Sequence, residues 1–259
     1  MPELPDVEIF RRYASEHALG KSIINIEYRD DSLLDSSKQA ISKGLLKSRF
    51  SDTRRRGKYL FLSAGSSWLL LHFGMTGSLA YFDLEEGSPD YTRVAFHFDN
   101  GRGLAVISKR KLGRIEIQDD LEKLVREHEI GVDALEMSSS DFRTMLENSR
   151  RGIKSALMDQ KSIAGIGNIY SDEILYQEGI HPDIRAGELE DAAVDSLYQT
   201  MHRVLKKAIQ NDAKPDRMPQ SFLLPNRNEG ARCPRCSGKI RRITVNGRGT
   251  YICPECQQK

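Results

Sequence analysis

The chain has no apolar run long enough to cross a bilayer, and its first residues, MPELPDVEIF, lack the basic-then-apolar order of a signal peptide. Neither a membrane-spanning nor a secreted protein is expected. Cysteine is scarce, with four in 259 residues, all within the last 27 positions. That distribution excludes a small scaffold stapled by disulfides throughout. An excess of one charge is also missing, since 39 Lys and Arg face 37 Asp and Glu. The distribution of charge says more than its sum. Residues 227–259 carry eight basic and two acidic side chains, and the rest of the chain is mildly acidic. A basic C-terminal end points to an anionic partner such as nucleic acid. With 39% hydrophobic and 29% charged residues, the chain has the make-up of a folded protein, and its length suffices for two compact domains.

The four cysteines, Cys233, Cys236, Cys253 and Cys256, form two C-x2-C pairs separated by sixteen residues. Tetrahedral zinc takes four thiolates, and each C-x2-C knuckle puts two sulfurs on one side of the ion. One zinc is expected. With four protein ligands no coordination position stays open, so the ion is structural rather than catalytic.

Helical spacing of Val7, Phe10, Ala14 and Ala18 after Pro5 predicts a first helix over Asp6 to Leu19. A β-rich region follows, with strands at Lys58 to Ala64, Trp68 to Met75, Arg93 to Phe98 and Leu104 to Ile107. Alternation in RVAFHF and GRIEI fits half-buried strands of a sandwich. A charged stretch near Asp119 to Asp133 reads as a linker with some helix. Helices are then expected at Asp141 to Asn148, Lys154 to Gln160, Ser171 to Glu178 and Glu188 to Gln210, before a proline-rich loop and the zinc hairpin. The class is α+β, with the order helix, β-domain, linker, helical domain, zinc ribbon. The boundaries fall at 1–118, 119–135, 136–225 and 226–259.

Residue 2 is a proline, small enough for the initiator methionine to be removed. That leaves a secondary amine beside Glu3. An α-amino group titrates at about 7.7–8.0, so part of it is neutral and nucleophilic near neutral pH. Attack on a sugar C1′ would give a cationic iminium, an electron sink for elimination, with Glu3 available for general acid–base help. Alone, Pro-Glu is a weak signal.

The remainder of the chain strengthens it. MPELPDVE, RRRGKYL at Arg54 to Leu60, HFGMTGSL at His72 to Leu79, KSALMDQKSIAGIGNIYSDEILYQEGIHP at Lys154 to Pro182 and the terminal GTYICPECQQK occur together in one order. On these motifs the chain resembles the formamidopyrimidine-DNA glycosylase/endonuclease VIII family, and PELPDVE is closer to the formamidopyrimidine branch. The resemblance implies an N-terminal β-sandwich with flanking helices, and a C-terminal helix–two-turn–helix domain with a zinc-ribbon hairpin. It implies a bifunctional DNA glycosylase/AP lyase of base-excision repair, acting on damaged double-stranded DNA as a monomer in a prokaryotic cytoplasm at the nucleoid. Pro2 is then the nucleophile, Glu3 the acid, and Lys58 the lysine that assists near the sugar and phosphate. Asn168 in GIGN and Arg248 in GRGTYICPEC match phosphate-binding residues, with the GIGN glycines letting the backbone approach a phosphate.

A base must leave the stack before it can be attacked, and its space must be filled. Met75, Arg110 and Leu112 stand where the family places its filling residues, and Leu112 replaces a usual phenylalanine. Asp6 replaces a usual glutamate. The stretch PQSFLLPNRNEG is short where relatives that remove 8-oxoguanine fold a loop over the flipped purine. Formamidopyrimidines, oxidised pyrimidines and abasic sites are therefore expected ahead of 8-oxoguanine. The histidines show no ligand spacing, and no second metal site is expected. The rival reading is a non-catalytic damaged-DNA-binding protein of the same fold, which would have no need of the Pro-Glu terminus.

Overall fold

The computed structural model describes residues 1–258 and divides into two compact units. The first holds Met1–Pro2 and Asp6–Glu129; the second holds Glu3–Pro5 and the chain from Ile130 on.

Helix α1 (Leu4–Ala18) belongs to the first unit from Asp6 on, and its Val7, Ala14 and Ala18 are buried at helical spacing. Strand β1 (Ile23–Tyr28) follows, then α2 (Lys38–Leu45), capped by Ser37 Oγ accepting the Ala40 amide at 3.1 Å. Seven strands complete the unit: β2 (Phe50–Arg56), β3 (Tyr59–Ala64), β4 (Ser67–His72), β5 (Gly77–Asp83), β6 (Thr92–Phe98), β7 (Arg102–Ser108) and β8 (Arg114–Gln118). With β1 they form two antiparallel four-stranded sheets, ordered β2-β3-β4-β8 and β1-β6-β7-β5. One core draws on both sheets, with Phe50, Leu60, Leu62, Leu69 and Ile115 from one and Ile23, Phe96, Phe98 and Leu104 from the other. Phe50 meets Phe96 edge-on at 5.6 Å between ring centroids. This is the expected sandwich.

The charged stretch holds the helix expected within it. Asp120 caps helix α3 (Leu121–Glu127), which ends the first unit. In the second unit, β9 (Val132–Asp133) pairs in parallel with β10 (Ile163–Ala164). Between them lie α4 (Ser139–Glu147) and α5 (Ile153–Leu157). Helix α5 stops earlier than its sequence pattern indicates. The Gln160 side chain leaves the helix to donate to the Ile166 carbonyl at 2.7 Å and to accept the Gly165 amide at 3.0 Å. Helices α6 (Asn168–Glu178) and α7 (Asp191–Gln210) follow. Residues 211–231 form the expected loop, shaped by two short 3-10 turns and held down by buried Met218, Phe222, Leu223 and Leu224. The hairpin of β11 (Arg241–Val245) and β12 (Arg248–Ile252) turns on Asn246 and Gly247, at φ 47° and 73°. Both positive angles suit a two-residue type I′ turn. Among the described residues, no helix is long and apolar enough to cross a membrane.

Candidate functional site

Helix α6 begins three residues earlier than its hydrophobic pattern predicts, because its free amides find a partner far away in sequence. The first turn of a helix leaves backbone N–H groups without intrahelical acceptors. Here the buried Glu3 carboxylate accepts from Gly167 at 2.7 Å, Ile169 at 2.9 Å and Tyr170 at 3.2 Å. The donors and the positive helix end suit an ionised carboxylate. The Leu4 amide also donates to the Gly165 carbonyl at 3.0 Å. The GIGN glycines make room for this segment. A Cβ on Gly165 would lie 2.6 Å from Leu4 Cδ1, and one on Gly167 would lie 2.4 Å from the Glu3 carboxyl carbon.

The same helix docks the zinc hairpin by two residues one turn apart. Asn168 Nδ2 donates to the Gly249 carbonyl at 2.9 Å, while its Oδ1 is buried without a partner. Asp172, fully buried, accepts from Lys154 Nζ at 2.6 Å, from Arg227 at 2.6 Å and from the Tyr251 amide at 3.1 Å. Burial pulls the Lys154 ammonium below its ordinary range, and Asp172 opposes that shift. The helix thus grips alternate residues of β12, just after the exposed Arg248. Sequence reading missed Asp172 and Lys154 as a pair, since their partners are scattered over four segments.

The four cysteine sulfurs lie within 4.8 Å of one another, with Cys233–Cys256 at 3.8 Å and Cys236–Cys253 at 3.5 Å. A tetrahedron with zinc–sulfur bonds of about 2.3 Å has edges of about 3.8 Å, so the set fits zinc. The amides of Arg235 and Gly238 point at Cys233 Sγ and Cys236 Sγ, as donors to thiolates do. The ion is structural: it closes a ribbon that carries Arg248 and has little core of its own.

In the first unit, Lys58 occupies the second position of the Gly57–Lys58 turn between β2 and β3, where Gly57 has φ 57°. Glycine first fits a type II′ turn. Lys58 is buried, unlike a lysine of a solvated basic run. Pro2 is half-buried. Burial and then the positive field of Lys58 pull the His72 imidazole down to about 4, so it is neutral at physiological pH. Its ring lies 4.9 Å from that of Tyr59, and its Nδ1 accepts the Gly74 amide at 3.4 Å. His72 therefore helps shape the loop that bears Met75. Glu8 was also missed: its carboxylate binds Arg11 at 2.8 Å and Arg55 at 3.3 Å.

Met75 and Leu112 are 43% and 39% exposed, and so are not the core residues that their types usually become. Their loops touch. Gly74, at φ 58°, lets the Leu112 carbonyl come within 2.4 Å of where a Cβ would stand. Ser108, opposite Gly77 in the β5–β7 register, organises both. Its Oγ donates to the Leu112 carbonyl at 2.9 Å and accepts the Leu112 amide at 3.3 Å. Its own carbonyl accepts Arg93 Nε at 2.7 Å. Arg110 lies exposed between these contacts.

Family models match three consecutive stretches: the formamidopyrimidine-DNA glycosylase N-terminal domain at 1–115, the formamidopyrimidine-DNA glycosylase H2TH domain at 130–219, and the zinc finger found in FPG and IleRS at 230–259. The formamidopyrimidine-DNA glycosylase of Pelotomaculum thermopropionicum is 34% identical over 279 positions, covering 100% of this chain and 99% of that protein. That of Streptococcus thermophilus is 30% identical over 273 positions, covering all of both chains. Lactococcus lactis Fpg in complex with DNA containing N7-benzyl-Fapy-dG superposes with a TM-score of 0.90 at 30% identity, covering 100% of each chain. Buried Glu3 under α6, the paired exposed tips and the four-sulfur ribbon thus fall inside a match that runs the whole length, and the chain belongs to the formamidopyrimidine-DNA glycosylase family, whose members are DNA glycosylases and AP lyases of base-excision repair.

Proposed function

We propose that Pro2, freed by loss of Met1, attacks C1′ of an oxidised nucleotide flipped from duplex DNA. A nitrogen–carbon bond forms as the glycosidic bond breaks, and the base departs with the electron pair and gains a proton. The amine then loses its proton, and its lone pair opens the sugar ring, whose oxygen is protonated. The resulting Schiff base withdraws electrons from C1′. Removal of a C2′ proton expels the 3′ phosphate, and a second elimination expels the 5′ phosphate. Glu3 gives general acid–base help beside the nucleophile, and Lys58 assists near the sugar and phosphate. Asn168 and Arg248 hold phosphates; Met75, Arg110 and Leu112 fill the space the base has left. The zinc ion, bound by Cys233, Cys236, Cys253 and Cys256, stiffens the ribbon that bears Arg248.

The observation that carries this reading is the anchoring of Glu3, peptide-bonded to Pro2, on three backbone amides. A dispensable terminus has no use for such support. Relatives named for formamidopyrimidine, and a related structure with DNA containing an abasic site, support those substrates here. The shortness of PQSFLLPNRNEG supports formamidopyrimidines and oxidised pyrimidines over 8-oxoguanine. Double-stranded damaged DNA is the partner and the working form is a monomer, cytoplasmic and nucleoid-associated. Borohydride trapping on duplexes bearing formamidopyrimidine, 8-oxoguanine, dihydrothymine or an abasic site tests it. A covalent adduct on a base lesion, lost in Pro2→Gly, is expected; undiminished trapping by Pro2→Gly overturns the nucleophile.

A further inference from the structure

Lys111 stands between Arg110 and Leu112 in the loop from β7 to β8, with φ 54°. Bulky side chains rarely adopt that left-handed conformation, where Gly, Asn or Asp are the ordinary occupants. It persists where surrounding contacts over-determine it.

The contact that does so comes from Asp30, just beyond β1. Lys111 Nζ lies 2.6 Å from Asp30 Oδ2, and the same oxygen accepts Arg93 Nη1 at 3.1 Å. Arg93 is buried, and its Nε donates to the Ser108 carbonyl at the root of the loop. One carboxylate oxygen thus reaches the loop at its tip through Lys111 and at its root through Arg93. The carboxylate is itself fixed. Asp30 Oδ1 accepts the Ser32 amide at 2.9 Å, and the Asp30 amide donates to the Arg93 carbonyl at 3.2 Å. Ser108 is tied from a third side, its amide donating to the Tyr91 carbonyl at 3.1 Å. Pairing with Lys111, and then the Ser32 donors, hold the Asp30 carboxyl well below the usual carboxylate range. With Lys111 drawn to Asp30, its neighbours Arg110 and Leu112 stand exposed on either side of it.

We propose that Asp30 is a positioning residue for base flipping, holding the Arg110–Leu112 tip through Lys111 in the shape that enters the duplex. The proposal rests on the reading of Arg110 and Leu112 as space-filling residues. The probe is a duplex with a tetrahydrofuran abasic analogue and 2-aminopurine opposite it, read by affinity and by the emission change on binding. Asp30→Asn keeps acceptors for Arg93 and Ser32 but removes the charge that draws Lys111. It should weaken binding by about threefold, the scale of a partly exposed ion pair, and diminish the emission change. Lys111→Met should do the same. The double variant should be no worse than either single one, because both changes remove one interaction. Additive losses in the double variant overturn the proposal, as does lost affinity with the wild-type emission change. Tighter binding by Asp30→Asn also overturns it, since a freed Lys111 would then be taking a phosphate. Lys111 is exposed, so Lys111→Met should keep the wild-type Tm and decides the matter even if Asp30→Asn unfolds. Wild-type affinity and emission in that variant overturn the proposal. Leu112→Ala is measured alongside. If it alone loses the emission change, only the positioning role is misassigned; if all three single variants match the wild type, the space-filling reading falls as well.

Discussion

Glu3 reaches the amide of Gly167 at 2.7 Å only because residue 167 has no side chain. A methyl group there would sit 2.4 Å from the Glu3 carboxyl carbon. Gly167→Ala should therefore push Glu3 off the helix and destabilise the second unit by about 1–3 kcal/mol, as overpacking does. Borohydride trapping should fall further than in a control variant of equal stability loss. If trapping follows stability alone, Glu3 is a helix cap and nothing more.

Asp172 answers for three donors at once. Replacing it by asparagine leaves Lys154 buried with half its partner gone, and breaking such a pair typically costs about 3–5 kcal/mol. The prediction is specific in place: hydrogen exchange should accelerate in β12, beginning with the Tyr251 amide, before it does so in α7.

Two buried groups should give opposite pH profiles. Burial pushes Glu173 up to about 7, outweighing hydrogen bonds from Gln177 and the Leu224 and Leu223 amides. The folded state keeps a proton that the unfolded chain releases from about 4.5, so this contribution is full below pH 4.5 and lost as pH rises through 7. His72, pulled down to about 4, behaves in reverse: its contribution is present above 6.5 and lost as pH falls through 4. Each is on the order of 3 kcal/mol. Urea unfolding from pH 4 to 8 should show Glu173→Gln flattening the profile of the second unit and His72→Gln that of the first. Unchanged slopes would falsify these assignments.

Chelation of zinc should release the ribbon and weaken DNA binding without unfolding the sandwich. Arg248→Ala should lower the slope of log affinity against log salt by about one, the signature of one lost phosphate contact. An unaltered slope marks Arg248 as mere surface charge.

Patterns with short periods were legible in the sequence. RVAFHF and GRIEI read as strands and are strands, although β6, an inner strand between β1 and β7, is buried on nearly every residue rather than on one face, and the two C-x2-C pairs report a local geometry. Contacts across long sequence separations were not. Nothing near Ser171 indicates that α6 starts at Asn168, since the cause is Glu3, 164 positions before Gly167. The burial of Lys58 is a property of the turn that carries it, and nothing in the basic run RRRGK reports it. The exposure of Met75 and Leu112 was likewise hidden, as both types ordinarily go inside.

Ser108 makes its contacts at the root of the Met75, Tyr91 and Leu112 loops, mostly through backbone groups of its neighbours. Side chains at the tips can be exchanged without disturbing that frame. The tips are thereby open to change one at a time, while the scaffold that presents them stays under separate constraint.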